Sequence, residues 1–331
     1  MKSIINTVVA AAVACAAVLG SSAAFAQEKT IRLALQPAPV LGYYVKARNL
    51  LEKRGVKPEW AEFPFSPPIF ESLAAGSTDA ALVGTTPLFN VIGKDDNLWY
   101  IYDELTNASG GIVKADSDIK GPADLKGKKI AFPGKASQIY SQFLVYLENS
   151  GVSESDMDLI RVNASDMNAL FARDEIDAAL AWPPFTTEPV RTGEARSLFT
   201  ADDVMKIKGG HWIGSGWVVR PEFAENNRET VIALIDALLE ARRALDENPD
   251  DVYGVLAEAT GYTPETIKFM IENKYTGHFD GEMVVPDAEA FKSAYEIFDK
   301  QGAIQSPVPL GPVLDKIVKP EFAKEALAAR K

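Results

Sequence analysis

Cysteine and histidine are nearly absent: Cys15, His211 and His278 are the whole supply in 331 residues. One cysteine allows no internal disulfide and no thiolate-rich metal site. The two histidines lie far apart, with no HxxxH or HExxH pattern, so the usual zinc-hydrolase arrangements are unavailable. Glycine-rich phosphate loops of the GxGxxG or GxxxxGK[ST] type are missing, and Gly214–Gly216 is only a fragment of a nucleophile elbow. Basic residues are outnumbered, 34 Lys+Arg against 46 Asp+Glu, for a net charge of −12. That balance argues against nonspecific binding to nucleic acid or to anionic membranes. A small anion is still compatible, because a local site can oppose the global charge. No cofactor is indicated by any motif.

What is present begins with a leader. Lys2 precedes the apolar run Val8–Leu19, too short for a membrane span of ~20 residues. The run ends in SSAAFA before Gln27, with Ala24 and Ala26 at small-residue cleavage positions. Residues 1–26 therefore read as a secretory signal peptide, whose removal takes Cys15 with it. An exported, cofactor-poor chain is expected first to bind something.

An internal repeat sets the expected architecture. LAAGSTDAALVGTTPLF (Leu73–Phe89) returns as LFARDEIDAALAWPPF (Leu170–Phe185), and LLEKRGV (Leu50–Val56) returns as YLENSGV (Tyr146–Val152). IRLAL at Ile31 faces KIAFP at Lys129. Each copy alternates apolar strands with amphipathic helices, so each predicts βαβ units on a parallel sheet. Ser66 before Pro67-Pro68 reads as a helix N-cap. In such sheets ligands sit beyond the carboxyl ends of the strands. Two lobes facing each other would line a cleft with six loops. Gly110–Asp116 and Ser215–Phe223 each have an apolar strand core that could pass between lobes. The C-terminal third, from the amphipathic stretch after Glu229, reads as helical, with further starts near Thr263-Pro264 and Asp287, and is expected on the first lobe.

Several segments together, IRLALQP, AAGSTDAALVGTTPL, IKGPADLKGKKIAFP, DEIDAALAWPPF and GWVVRPEFAENN, resemble the periplasmic solute-binding proteins of ABC importers for taurine, alkanesulfonates, nitrate and pyrimidine precursors. AWPPF and WVVRPEF point within that class to the sulfonate/taurine branch. The resemblance implies an α/β fold of the two-lobed type II clamshell kind, with a mostly parallel central sheet in each lobe, flanking helices and two crossover strands. It places residues 27–115 and 217–331 in lobe 1 and residues 116–216 in lobe 2. It implies no catalysis, a monomer, and delivery of a captured solute to an inner-membrane permease and its ATPase. A ligand-sensing subunit for a membrane receptor, or a pyrimidine-precursor synthase relative, are the other readings of the same frame.

The resemblance also assigns candidate contacts. Gln36 follows the first strand, where sulfonate binders place a polar group. Thr85 and Thr86 match a hydroxyl pair near the anionic group, although Thr86-Pro87 also reads as a helix start. Ser137, Gln138 and Tyr140 occupy the corresponding loop and helix of lobe 2. Trp182 sits where the DAAL strand meets Pro183-Pro184, placed to close over a ligand or to join the lobe core. His211, Trp212 and Ser215 precede the second crossing. Ser215 stands where taurine binders of this class carry an acid, so a ligand ammonium would lack its partner. The FPFSPP segment (Phe63–Pro68), with Tyr43, Tyr44 and Phe70, predicts an apolar mouth. The expected ligand is a sulfonate or carboxylate monoanion with an apolar or aromatic body.

Overall fold

The computed structural model describes residues 29–330, apart from 93–97, 106–109, 136, 209–213, 274, 279–280, 301 and 303. The leader with Cys15, and His211 and Trp212, lie outside the described residues. Among the described residues no helix is long and apolar enough to cross a membrane.

The repeat becomes two sheets of identical plan. The first copy supplies β1 (Lys29–Leu35), β2 (Val56–Glu62) and β3 (Ala80–Gly84). After β4 (Trp99–Leu105), the second sheet opens with β5 (Gly110–Lys114) and takes β6 (Lys129–Phe132), β7 (Asp158–Arg161), β8 (Ala178–Ala181) and β9 (Ala195–Phe199); β10 (Ser215–Val219) returns to the first. Strand order is β2-β1-β3-β10-β4 in one sheet and β7-β6-β8-β5-β9 in the other. The three repeat strands run parallel in each. The fourth strand is antiparallel to both neighbours and arrives from the other half. β3 and β8 are buried along their whole length, as inner strands covered on both faces must be, which explains their unbroken apolar runs.

The aspartate of each DAAL motif has a structural task. Asp79 Oδ2 accepts the backbone N–H of Arg32 at 2.9 Å, and Asp177 Oδ2 accepts that of Lys129 at 2.8 Å. Each acid thereby ties the third strand of its copy to the first.

The lobe boundaries fall earlier than expected. β5, expected with lobe 1, pairs in the second sheet, and Ser215 and Gly216, expected with lobe 2, pair in the first. The chain changes sheets between Leu105 and Gly110 and again between Phe199 and Ser215. An apolar visiting strand carries no mark of which sheet it joins.

The helix Arg228–Glu247 buries Val231, Leu234, Ile235 and Leu238 on the first sheet, in one core cluster with Leu33, Leu35 and Trp217. On the other face, Phe291 and Tyr295 of the helix Ala288–Lys300 meet Phe89 edge-on at 4.9 and 5.4 Å. One C-terminal helix does more than cover lobe 1. Pro264–Glu272 also packs on Thr187–Arg191 of the second lobe, where Thr266 Oγ1 donates to Glu188 Oε2 at 2.6 Å.

Candidate functional site

On the first lobe the carboxyl ends of β1 and β3 are drawn together by one hydroxyl. Ser66 Oγ donates to Gln36 Oε1 at 3.1 Å and accepts the N–H of Gly84 at 3.4 Å. Ser66 is therefore no N-cap: its helix, Ser66–Ala74, is preceded by Phe65 in the capping position, without a side-chain cap. Thr85 donates from its N–H and its Oγ1 to the carbonyl of Gly214, at 3.2 and 3.3 Å. Ser215 pairs with Gly84 across β10 and β3. Gln36, Ser66, Gly84, Thr85 and Ser215 thus share one edge of the first sheet.

Thr86 lies in the helix Thr85–Phe89, whose capping residue is Gly84, so the capping role is not taken by Thr86 either. Its hydroxyl is buried and has no partner among the described residues.

The second lobe answers with the helix Gln138–Leu147, which contacts Thr85–Phe89. A Cβ added to Gly84 would lie 3.9 Å from Gln138 Oε1, so the two lobes approach at that point. Ser137 stands in the capping position with extended backbone, and its hydroxyl donates to the Gly134 carbonyl at 2.5 Å. Tyr140 turns the other way. Its ring meets Phe132, Lys135 lies over it, and its hydroxyl donates to Glu154. That ties Tyr140 to the outer loop of its own lobe. Burial, and next Glu154, push its phenol up to about 12.

Trp182 is half-buried at the rim of a small lobe-2 cluster and meets Phe185 edge-on at 6.1 Å. Phe185 in turn meets Tyr262 of the first lobe at 6.2 Å. Trp182 therefore begins a row of rings from one lobe to the other. The apolar mouth is smaller than expected. Tyr43, Tyr44 and Phe70 are buried in the cores, and Tyr44 donates its hydroxyl to Asp251. Phe65 is the ring of that segment left open, at 54% exposure.

Four features escaped the sequence reading. Arg161, at the end of β7, lies over Gly134, whose φ of +129° only glycine adopts readily; a Cβ there would sit 3.4 Å from Arg161 Nε. Ser141 and Gln142 are buried on the Gln138 side of their helix, and no polar atom of either side chain has a partner among the described residues. Asp103 and Glu104 are buried in β4, just before the first crossing. Burial pushes both carboxyls up to about 7, although Tyr100 donates to Asp103, and Leu41 N–H and Trp217 Nε1 each donate to Glu104 at 2.6 Å. His278 Nε2 donates to the Pro39 carbonyl at 3.0 Å, leaving Nδ1 as an acceptor with no partner among the described residues; burial first of all lowers its pKa to about 4 and keeps the ring neutral.

The arrangement sets neutral polar groups on both sides of a cleft, with one open aromatic ring and a cation at the edge. It suits capture of a small anion; among its described residues no nucleophile is paired with a base. A putative aliphatic sulfonates-binding protein of Escherichia coli is 26% identical over 256 residues, 76% of this chain and 78% of that protein. The taurine-binding periplasmic protein of the same organism is 27% identical over 231 residues, 68% and 69% of the two chains. The crystal structure of the periplasmic aliphatic sulphonate binding protein SsuA from Escherichia coli superposes with a TM-score of 0.75 at 24% identity, covering 88% of this chain and 92% of that one. The fold is the two-lobed periplasmic binding protein fold. Residues 43–252, well over half of the chain, match the family described as NMT1/THI5 like, and the chain belongs to that family.

Proposed function

We propose that this protein is the periplasmic solute-binding component of an ABC importer, and that its solute is a small organic monoanion of the sulfonate class without a free ammonium group. The observation that carries the reading is the facing pair of loop sets: Gln36, Ser66, Gly84 N–H and Thr85 on one lobe, Ser137 and Gln138 on the other, meeting where Gly84 approaches Gln138. The hydroxyls of Thr85 and Ser137, which here donate to the Gly214 and Gly134 carbonyls, can turn to an oxyanion and solvate it with the N-terminus of the helix Gln138–Leu147, without a direct ion pair. Arg161 at the rim of the second lobe adds a positive charge that draws anions to the cleft. Phe65 and Trp182 provide ring surface for an apolar body. Ser215, at the edge beside Gly84, supplies a hydroxyl where an ammonium would need a carboxylate. Closure of the two lobes about β4–β5 and β9–β10 buries the solute and presents a closed face to the permease and its ATPase. The protein works as an exported monomer and performs no chemistry on its cargo.

Calorimetry of the mature chain with taurine and with an alkyl or aryl sulfonate of similar size tests this. Taurine binds more weakly, and Ser215→Asp narrows the gap by supplying the missing charge. Tighter binding of taurine by the unmodified protein overturns the charge argument. The absence of any thermal shift or compaction with sulfonates, carboxylates and nitrate overturns the binding reading itself.

A further inference from the structure

The helix Gln138–Leu147 packs on the lobe-2 sheet and on the helix Ala201–Lys208 of the same lobe, and also meets the helix Thr85–Phe89 of lobe 1. Ile139, Phe143 and Tyr146 share one face and meet the lobe-2 sheet, with Phe143 and Tyr146 stacked on Phe199 at 6.1 and 4.5 Å. Tyr140 lies on a second face with Phe132 and Glu154. Helical spacing leaves Gln138, Ser141, Gln142 and Val145 on the third face. That face looks across to lobe 1, because Gln138 Oε1 is the atom next to Gly84 and the helix contacts Thr85–Phe89. Ser141 and Gln142 are 0% exposed, as is Thr86 on the opposing helix. Ser141 Oγ, Gln142 Oε1, Gln142 Nε2 and Thr86 Oγ1 all lack a partner among the described residues. Buried polar groups are nearly always hydrogen-bonded, and a carboxamide with both ends unmet is among the costlier exceptions.

We propose that Gln142, with Thr86 and Ser141, is a specificity determinant that reads a neutral hydrogen-bonding substituent on the solute, a hydroxyl or carboxamide carried at a distance from its anionic group. This inference rests on the proposed sulfonate-class reading and narrows it. The anionic end lies at Gln36, Thr85, Ser137 and Gln138. One helical turn further along, the carboxamide of Gln142 donates to and accepts from the substituent, and the hydroxyls of Thr86 and Ser141 complete its shell. A plain alkyl chain of the same length leaves those atoms buried and unmet when the lobes come together, so closure discriminates against it.

The test is calorimetry with two pairs of probes: short alkanesulfonates, and the same chains bearing a terminal hydroxyl or a terminal carboxamide. The unmodified protein is expected to prefer the substituted member by about tenfold or more. Gln142→Leu, which removes the unmet amide, is expected to bind the plain alkanesulfonate at least as tightly as before and to lose the preference. Thr86→Val, on the other lobe, is expected to reduce the preference in part and serves if Gln142→Leu fails to fold. Equal affinity for both members, or a preference unchanged in both variants, overturns this inference and leaves the sulfonate reading standing. An ordered water held by Gln142 in a crystal structure of either complex, with no solute contact, also overturns it. Failure of every sulfonate to bind the unmodified protein removes both readings together.

Discussion

Asp79 and Asp177 stand at the same place in two copies of one frame, yet their surroundings differ. Each accepts a backbone N–H from the first strand of its copy. Asp79, at 2% exposure, also takes Arg32 Nε at 2.9 Å and Nη2 at 2.5 Å, with Arg220 Nη1 at 3.3 Å. Arg220 follows β10, so this acid ties the returning strand to the first lobe. Asp177 is half-buried and holds only Lys129 N–H among the described contacts. The second lobe does the same with shorter strands of four residues in β6, β7 and β8, against seven, seven and five in β1, β2 and β3. Duplication preserved the strand order, while the C-terminal helices and the buried charges accumulated on one lobe. The lobe that carries β1 and most of the C-terminal helices is the heavily braced one.

The visiting strands give the largest contrast. Gly216 in β10 and Gly111 in β5 are each the second residue of the strand that enters from the other lobe. A Cβ on Gly216 would overlap the Tyr100 hydroxyl and the Tyr102 carbonyl, and Tyr100 is already committed to Asp103. A Cβ on Gly111 would lie 2.5 and 2.8 Å from the Phe199 ring, a side chain with no backbone carbonyl behind the clash. Gly216→Ala is expected to cost about 3 kcal/mol or more, and Gly111→Ala about 1–2 kcal/mol, by urea denaturation. Equal costs would mean that the two lobes hold their visiting strands alike.

Removing the paired acids comes next. Asp79→Ala strips one backbone N–H and two guanidinium groups of their acceptor and is expected to cost about 2–3 kcal/mol; Asp177→Ala loses one backbone contact and about 1 kcal/mol. Denaturant midpoints at constant slope would show it.

The acids of β4 make the contrast depend on pH. β9, at the matching edge of the second sheet, reads Ala195-Arg196-Ser197-Leu198-Phe199 and has no acid. Asp103 and Glu104, both raised to about 7 by burial, bind protons in the folded chain that the unfolded chain has already released above about pH 4. Stability is therefore fullest below about pH 4 as far as these two groups decide it, falls as pH rises toward 7, and is level above. A decline in stability between pH 5 and 8 is expected, read from denaturant midpoints. Asp103→Asn keeps an acceptor for Tyr100 and should flatten part of that slope. A slope unchanged in the variant would place the titration elsewhere.

Much of the frame was legible because repetition needs no chemistry to be seen. IRLAL and KIAFP, and the two DAAL segments, are β1, β6, β3 and β8. Thr263-Pro264 and Asp287 do start helices, with Thr263 Oγ1 accepting the Thr266 N–H and Asp287 Oδ1 accepting that of Glu289. β4 was missed because Asp103-Glu104 inside an apolar run reads as a solvated turn, and only the tertiary structure supplies Tyr100, Leu41 and Trp217 as donors. Ser141 and Gln142 were missed for the converse reason. Polar residues on one stripe of a helix read as its water-facing side, and that stripe became an inner surface only when a second lobe arrived. Tyr140, read as a site residue by its place in the helix, was taken by Glu154, fourteen positions away, which no local pattern reveals.

The smallest predicted effect separates two of the places where the lobes touch. At Thr86, Ser141 and Gln142 the side-chain polar atoms lack partners among the described residues. At Glu188 the seam is satisfied three times over: Arg191 Nε and Nη2 donate at 2.9 and 2.6 Å, and Thr266 Oγ1 donates from the first lobe at 2.6 Å. Beside it, Ser197 and Tyr275 share a hydrogen bond of 3.0 Å between the lobes. Thr266→Val removes one of the three donors at nearly constant volume. Glu188 keeps both bonds from Arg191, so the cost to stability is expected to be about 1 kcal/mol or less. Its larger trace should appear in shape. Because the lost bond runs between lobes, the unliganded protein should be less compact by small-angle scattering, while the liganded protein, closed by its solute, should be unchanged. A variant that loses several kcal/mol without expanding would show that Thr266 serves the core of lobe 1, where Ile267 and Met270 lie, and that the satisfied seam does not hold the lobes together.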